Sequence, residues 1–175
     1  MLLDGYWKKD LRRICRSLSF WSKNRSSFLR KFAEHRVNRG LLYSAVIIRK
    51  IMEDEKDAEK IIEKTKLPMP SLPVKDIEVP VIQYNHIDDE KIFLISSVIL
   101  EDYDLKHYVE KEVELWWICN QIIHSYAWAV VHKDFKSIGG VLLASDKFRE
   151  EGICYLTVCD WIAAVRSVIE KAHIK

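Results

Sequence analysis

The residues best suited to chemistry fall in two short runs, Arg49-Lys50-Ile51-Met52-Glu53 and Cys119-Asn120-Gln121-Ile122-Ile123-His124. On a helix, residues four apart share a face, so Asn120 sits beside His124 and Arg49 beside Glu53. An imidazole general acid–base next to an arginine that stabilises a developing oxyanion is one chemistry these residue types permit. The other reading is architectural. Trp116, Trp117, Ile118, Ile122 and Ile123 are apolar, so part of the Asn120–His124 pair enters the interior. Buried imidazole and amide groups must find hydrogen-bond partners there, and Arg49 and Glu53 could supply them, fixing helix register.

Other chemistries leave no trace. The chain has no G-x-G-x-x-G, P-loop, G-x-S-x-G or H-E-x-x-H. His35, His86, His107, His124, His132 and His173 show no metal-ligand spacing. Cys15, Cys119, Cys154 and Cys159 form no C-x-x-C pair and sit in apolar runs, where free thiols behave as small hydrophobes. Cys154, Cys159 and His132 could meet on a sheet, but core thiols explain them more simply than zinc does. No metal and no cofactor is expected.

Net charge is +2, but it is unevenly distributed. From Lys8 to Lys50 there are thirteen Lys and Arg residues against Asp10 and Glu34, and from Asp88 to Glu114 nine Asp and Glu residues against Lys91, Lys106 and Lys111. Such asymmetry marks a nucleic-acid face, two complementary elements that lie together, or solvated helix faces. Lys8, Lys9, Arg12, Arg13, Arg16, Arg30, Lys31, Arg36 and Arg39 are the candidate phosphate contacts. The N-terminal residues lack the apolar core of a signal peptide and no run approaches the ~18 apolar residues of a membrane span. A cytoplasmic protein with reduced cysteines and no membrane contact is therefore expected.

The elements that must position these groups read as follows. Trp7, Leu11, Ile14, Leu18 and Trp21 recur at three- and four-residue steps, predicting an amphipathic helix over 6–21. A second helix is predicted over 27–54, bent near Gly40, with Leu41 to Met52 apolar nearly all round and central to a bundle. A third spans 56–66. Pro68, Pro70, Pro73 and Pro80 mark an extended loop over 68–80. Residues 92–100 form an apolar run that is either strand or helix. Asp104 caps a helix that runs to about 125, with Val109, Val113, Trp116, Trp117, Asn120, Ile123 and His124 on its inner side. Strands follow at 127–132, 141–145 and 153–158, with Gly139-Gly140 as a hairpin feature. Thr157 and Asp160 form a capping box that opens a final helix through 172. The expectation is one α+β domain, mainly α, over 1–175. It has a bundle of four to five helices over about 4–126 and a small antiparallel sheet plus final helix over about 127–175.

The Arg-Lys-Ile-Met-Glu run on one apolar helix and the Cys-Asn-Gln-Ile-Ile-His run on another resemble the HEPN superfamily over roughly 28–126. The resemblance implies a four- to five-helix bundle, a place in toxin–antitoxin or phage-defence systems, and a homodimer. In active members it implies a metal-independent ribonuclease with an Arg, a polar residue, three or so residues and a His. His124 matches the histidine and Asn120 the polar residue. The arginine position falls on Cys119, Ile118 or Trp117, none of them basic. Losing such a donor costs about 3–4 kcal/mol of barrier. The expectation is then a module that binds RNA or a partner protein without nuclease activity. A ribonuclease using His124 and Asn120 with Arg49, and a purely structural protein, are the alternatives.

Overall fold

The computed structural model describes residues 4–65, 74–87, 103–133 and 137–171. Helix α1, Asp4–Ser22, buries Leu11, Cys15 and Leu18 and leaves Arg12, Arg13 and Arg16 exposed, as its periodicity dictates. Helix α2, Arg30–Thr65, is a single element of 36 residues where two were expected. Its charged stretch is laced by Lys50–Asp54 at 2.8 Å and Lys60–Asp57 at 2.9 Å, the spacing that supports exposed helix. Gly40 lies inside this helix. A Cβ there would meet Leu18 Cδ2 at 2.8 Å, so the glycine lets α1 and α2 approach closely.

Five strands form one antiparallel sheet in the order β2-β1-β5-β4-β3: β1 Glu78–His86, β2 Tyr103–Glu114, β3 Ser125–Lys133, β4 Ser137–Ser145 and β5 Gly152–Thr157. A 3-10 turn, Val74–Asp76, precedes β1. Helix α3, Leu115–Ile123, follows β2 directly, its start tied by Leu115 N donating to Ile77 O at 2.9 Å. Helix α4, Val158–Lys171, closes the described chain. Its capping box forms as expected: Asp160 N donates to Thr157 Oγ1 at 3.0 Å, and the Thr157 hydroxyl reaches the Asp160 carboxylate.

Strand alternation divides the core. Val79, Val81, Val141, Leu143, Cys154 and Leu156 join buried residues of all four described helices in one cluster, while Leu142, Ala144 and Ile153 point to the other face with Tyr103 and Phe148. Cys154 Sγ donates to Leu143 O at 3.2 Å, and burial pushes its thiol up to about 12.

The expected helical bundle with a small C-terminal sheet is not formed. Residues 103–114, read as the first half of a helix, are a strand, and β1 starts inside the loop expected over 68–80 and continues through 81–86, for which no element was expected, so among the described residues the sheet has five strands and begins at Glu78. Pro80 is tolerated because β1 meets β5 only from Ile82 to Asn85, leaving Pro80 with a single strand neighbour. Gly139 and Gly140 lie inside β4. A Cβ on Gly140 would come within 2.3 Å of Leu156 O and 2.6 Å of the Tyr155 ring, so its role is close strand approach and not a turn. Helix α2 is not central either: Leu41, Ala45 and Ile48 are buried, but Leu42, Tyr43 and Val46 face solvent. The apolar run 92–100 and Pro68, Pro70 and Pro73 lie outside the described residues.

Candidate functional site

Asn120 sits in the last turn of α3, held against the sheet by two contacts. Gln121 Oε1 accepts from Ser145 N at 2.9 Å, and Ser125 Oγ donates to Gln121 O at 2.7 Å. This seats α3 beside α2 and brings Asn120 to Arg49. Arg49 Nη1 donates to Asn120 Oδ1, Nη2 donates to Glu53 Oε1 at 3.0 Å, and the guanidinium lies 4.0 Å from the Trp116 ring centroid. His124 follows as the C-cap, its N–H donating to Asn120 O at 3.0 Å, and its ring is exposed.

Arg49, Asn120 and His124 line one cavity of about 700 Å³, with Trp117, Phe148 and Lys147 among the other walls. The three predicted residues thus share a site, but with unequal freedom. The Arg49 side chain is only 22% exposed and is occupied on three sides by a carboxylate, an amide oxygen and an indole. Nη1 and Nη2 are thus engaged, while Nε is buried without a hydrogen-bond partner among the described residues. Cys119, at the position the resemblance would give to arginine, is buried, and burial pushes its thiol up against the opposing pull of Arg49. Among the described residues no group of His, Cys, Asp and Glu is placed to hold a metal ion.

This geometry separates the two polar residues. Asn120→Ala leaves Nη1 of a partly buried guanidinium without its acceptor, Glu53 still holding Nη2, and is expected to destabilise the fold by about 1–3 kcal/mol. His124→Ala removes an exposed ring and is expected to stay within about 0.5 kcal/mol. Urea unfolding followed by circular dichroism measures both; equal losses would contradict the assignment.

The basic residues form a second candidate surface. Arg13 on α1 and Arg36 and Arg39 on α2 line a groove of about 450 Å³ between the helices, with Asp10, Tyr43 and Ile47. Arg36 lies 4.7 Å from the Phe32 ring centroid, Arg39 4.9 Å from Tyr43 and Lys8 5.4 Å from Trp7. Lys9, Arg12, Arg16 and Lys31 are exposed on the same two helices. Arg30 is exposed but bonded to Glu34 at 3.2 Å, which in turn takes His132 Nε2 at 2.8 Å and so ties α2 to β3. Phe32 and Tyr43, which carry two of these cations, are exposed, as are Phe20 on α1 and Phe28 just before α2. Sequence reasoning listed the cations and missed the rings. The spacing Phe32–Arg36 and Arg39–Tyr43, each four residues on α2, carried the signal.

No protein-family model, curated protein or solved structure matches this chain. Among the described residues no helix is long and apolar enough to cross a membrane.

Proposed function

We propose that this chain is a non-catalytic binding module that takes single-stranded RNA across the exposed face of α1 and α2. The observation that carries the reading is the pairing of Arg36 with Phe32 and Arg39 with Tyr43, each guanidinium stacked on a partly exposed ring beside an open groove. Phosphates need cations along a track and unpaired bases need flat faces to stack on. Arginine held over an aromatic ring offers both. Arg13 supplies a further cation from the opposite wall, and Asp10 limits how deeply a phosphate can enter.

The test is titration of a fluorescein-labelled oligouridine by anisotropy at several salt concentrations. Neutralising about five phosphates gives a log–log slope near −3.5, so affinity should fall about a hundredfold between roughly 50 and 200 mM salt. Binding that ignores salt, or no binding, overturns the reading. Salt-insensitive capture of a protein instead would assign the exposed Leu42, Tyr43 and Val46 stripe to a protein partner.

The shared cavity of Arg49, Asn120 and His124 keeps a ribonuclease as the second reading. It requires RNA cleavage that persists in EDTA and vanishes in His124→Ala. The engagement of Arg49 Nη1 by Asn120 and Nη2 by Glu53 weighs against it, because the donors that would meet a phosphorane already have acceptors.

A further inference from the structure

The two ends of the described sheet differ. Strand β3 is half-buried along most of its length and tied to α2 through His132 and Glu34. Strand β2 ends the sheet on the other side, and every residue from Leu105 to Glu112 is exposed; Leu105, Tyr108 and Val109 are 41%, 56% and 47% exposed. A long edge strand offers a row of backbone donors and acceptors to any chain of matching pattern. The pattern on β2 is not a uniform charge barrier: Lys106 and Lys111 alternate with Glu110, Glu112 and Glu114 around Leu105, Val109 and Val113.

We propose that β2 pairs with β2 of a second copy of this chain, antiparallel about a twofold axis through Val109, joining two sheets into one. A twofold axis that makes identical strands antiparallel stands perpendicular to the sheet. Each face therefore continues across the join, and odd-numbered residues meet odd-numbered ones. Only registers centred on a residue satisfy this.

Centred on Val109, Val109 faces its own copy, and Leu105 faces Val113, Lys106 faces Glu112, Tyr108 faces Glu110 and His107 faces Lys111, each twice. Centred on 107, Leu105 meets Val109, but Asp104 meets Glu110, Lys106 meets Tyr108 and His107 meets itself, so no cation meets an anion. Centred on 108, Leu105 meets Lys111 and Asp104 meets Glu112; centred on 110, Glu110 meets itself. The Val109 register matches apolar with apolar and cation with anion together, each such cross-strand pair contributing about 0.2–1 kcal/mol. It closes its ends with Asp104 against Glu114, but Asp104 already holds His107 Nδ1 at 2.7 Å. Glu112 also wants a cation. It crowds Glu78 on β1, whose carboxyl is raised by the hydrogen bond and charge of Glu112. Lys106 of the second copy would stand on the open side of that acidic pair.

Sedimentation of the full chain and its variants tests the proposal. The wild type should dimerise, and Lys106→Glu or Glu112→Lys should each weaken dimerisation about tenfold or more, because the twofold doubles every lost pair. The combined K106E/E112K chain should recover it. In a Cys159→Ser background, which removes the exposed thiol, Val109→Cys should form a covalent dimer on oxidation and Tyr108→Cys should not. A monomer up to about 100 μM, a dimer indifferent to both charge reversals, or preferential crosslinking through Tyr108→Cys would each overturn it. Because RNA binding is read separately on α1 and α2, either proposal can fail alone.

Discussion

Replacing Trp161 with alanine is expected to lower the unfolding free energy by about 3–5 kcal/mol, since a large aromatic side chain leaves an unfilled cavity when truncated. Trp161 is completely enclosed at the inner face of α4, and its Nε1 donates to Ser44 Oγ on α2 at 2.8 Å. Ser44 is itself buried and passes its own proton to Gly40 O at 2.7 Å or Leu41 O at 3.0 Å. The indole is therefore a bridge as well as a filler: it fixes α4 to the stretch of α2 where Gly40 admits α1. Trp161→Phe keeps most of the volume and gives up the bond, so its cost should be nearer 1–2 kcal/mol. For a chain of this length 1 kcal/mol moves the melting temperature by about 2–4 °C, so the alanine variant should melt roughly 10–15 °C below the wild type. Thermal and urea unfolding followed at 222 nm measure both variants. A loss under about 1 kcal/mol for the alanine change would mean that α4 is not held as described. The prediction bears on function because the α1–α2 groove exists only while the faces behind those helices are filled.

The sequence made the helix–strand alternation after residue 125 legible because the cues there are local. Runs of β-branched and small apolar residues lie between polar stretches, and Thr157 with Asp160 announces α4. It also brought Arg49 to Asn120, since each sits on an apolar helix that had to turn its polar residues toward a partner. It failed at 103–114 for a reason built into the periods. Residues four apart share a face on a strand and on a helix alike, so Val109 and Val113 supported either, and the apolar Trp116 and Trp117 extended the helical pattern backwards. What decides the matter is pairing with β1, a partner more than twenty residues earlier along most of the ladder, and no local pattern carries that. Strand β1 itself was hidden by Pro80, which reads as a loop residue until the sheet is seen to offer it a one-sided position. With the strand assigned, the bundle implied by the HEPN resemblance gives way. The polar trio keeps its neighbourhood through α3 alone, a helix of nine residues.

The α1–α2 surface makes the sharper functional prediction. Arg36→Glu with Arg39→Glu replaces two exposed cations by anions, removes two phosphate contacts and adds repulsion, so RNA affinity should fall at least about a hundredfold near 100 mM salt while the salt slope becomes shallower by about 1.4. Stability should change little, because both side chains are exposed and the rings they stack on lie at the surface. Lys64→Glu with Lys147→Glu changes the net charge by the same amount at exposed positions away from the groove. It should cost much less, which separates a defined track from bulk charge. The aromatic half of the site is tested by Phe32→Ala and Tyr43→Ala. If bases stack on these rings, each change should lower affinity by about 1–3 kcal/mol and leave the salt slope unaltered, since stacking releases no counterions. Cations and rings act through different terms, and anisotropy titrations at several salt concentrations read both. A slope that moves with the ring variants, or equal losses from the two charge-reversed pairs, would remove the α1–α2 face from RNA recognition.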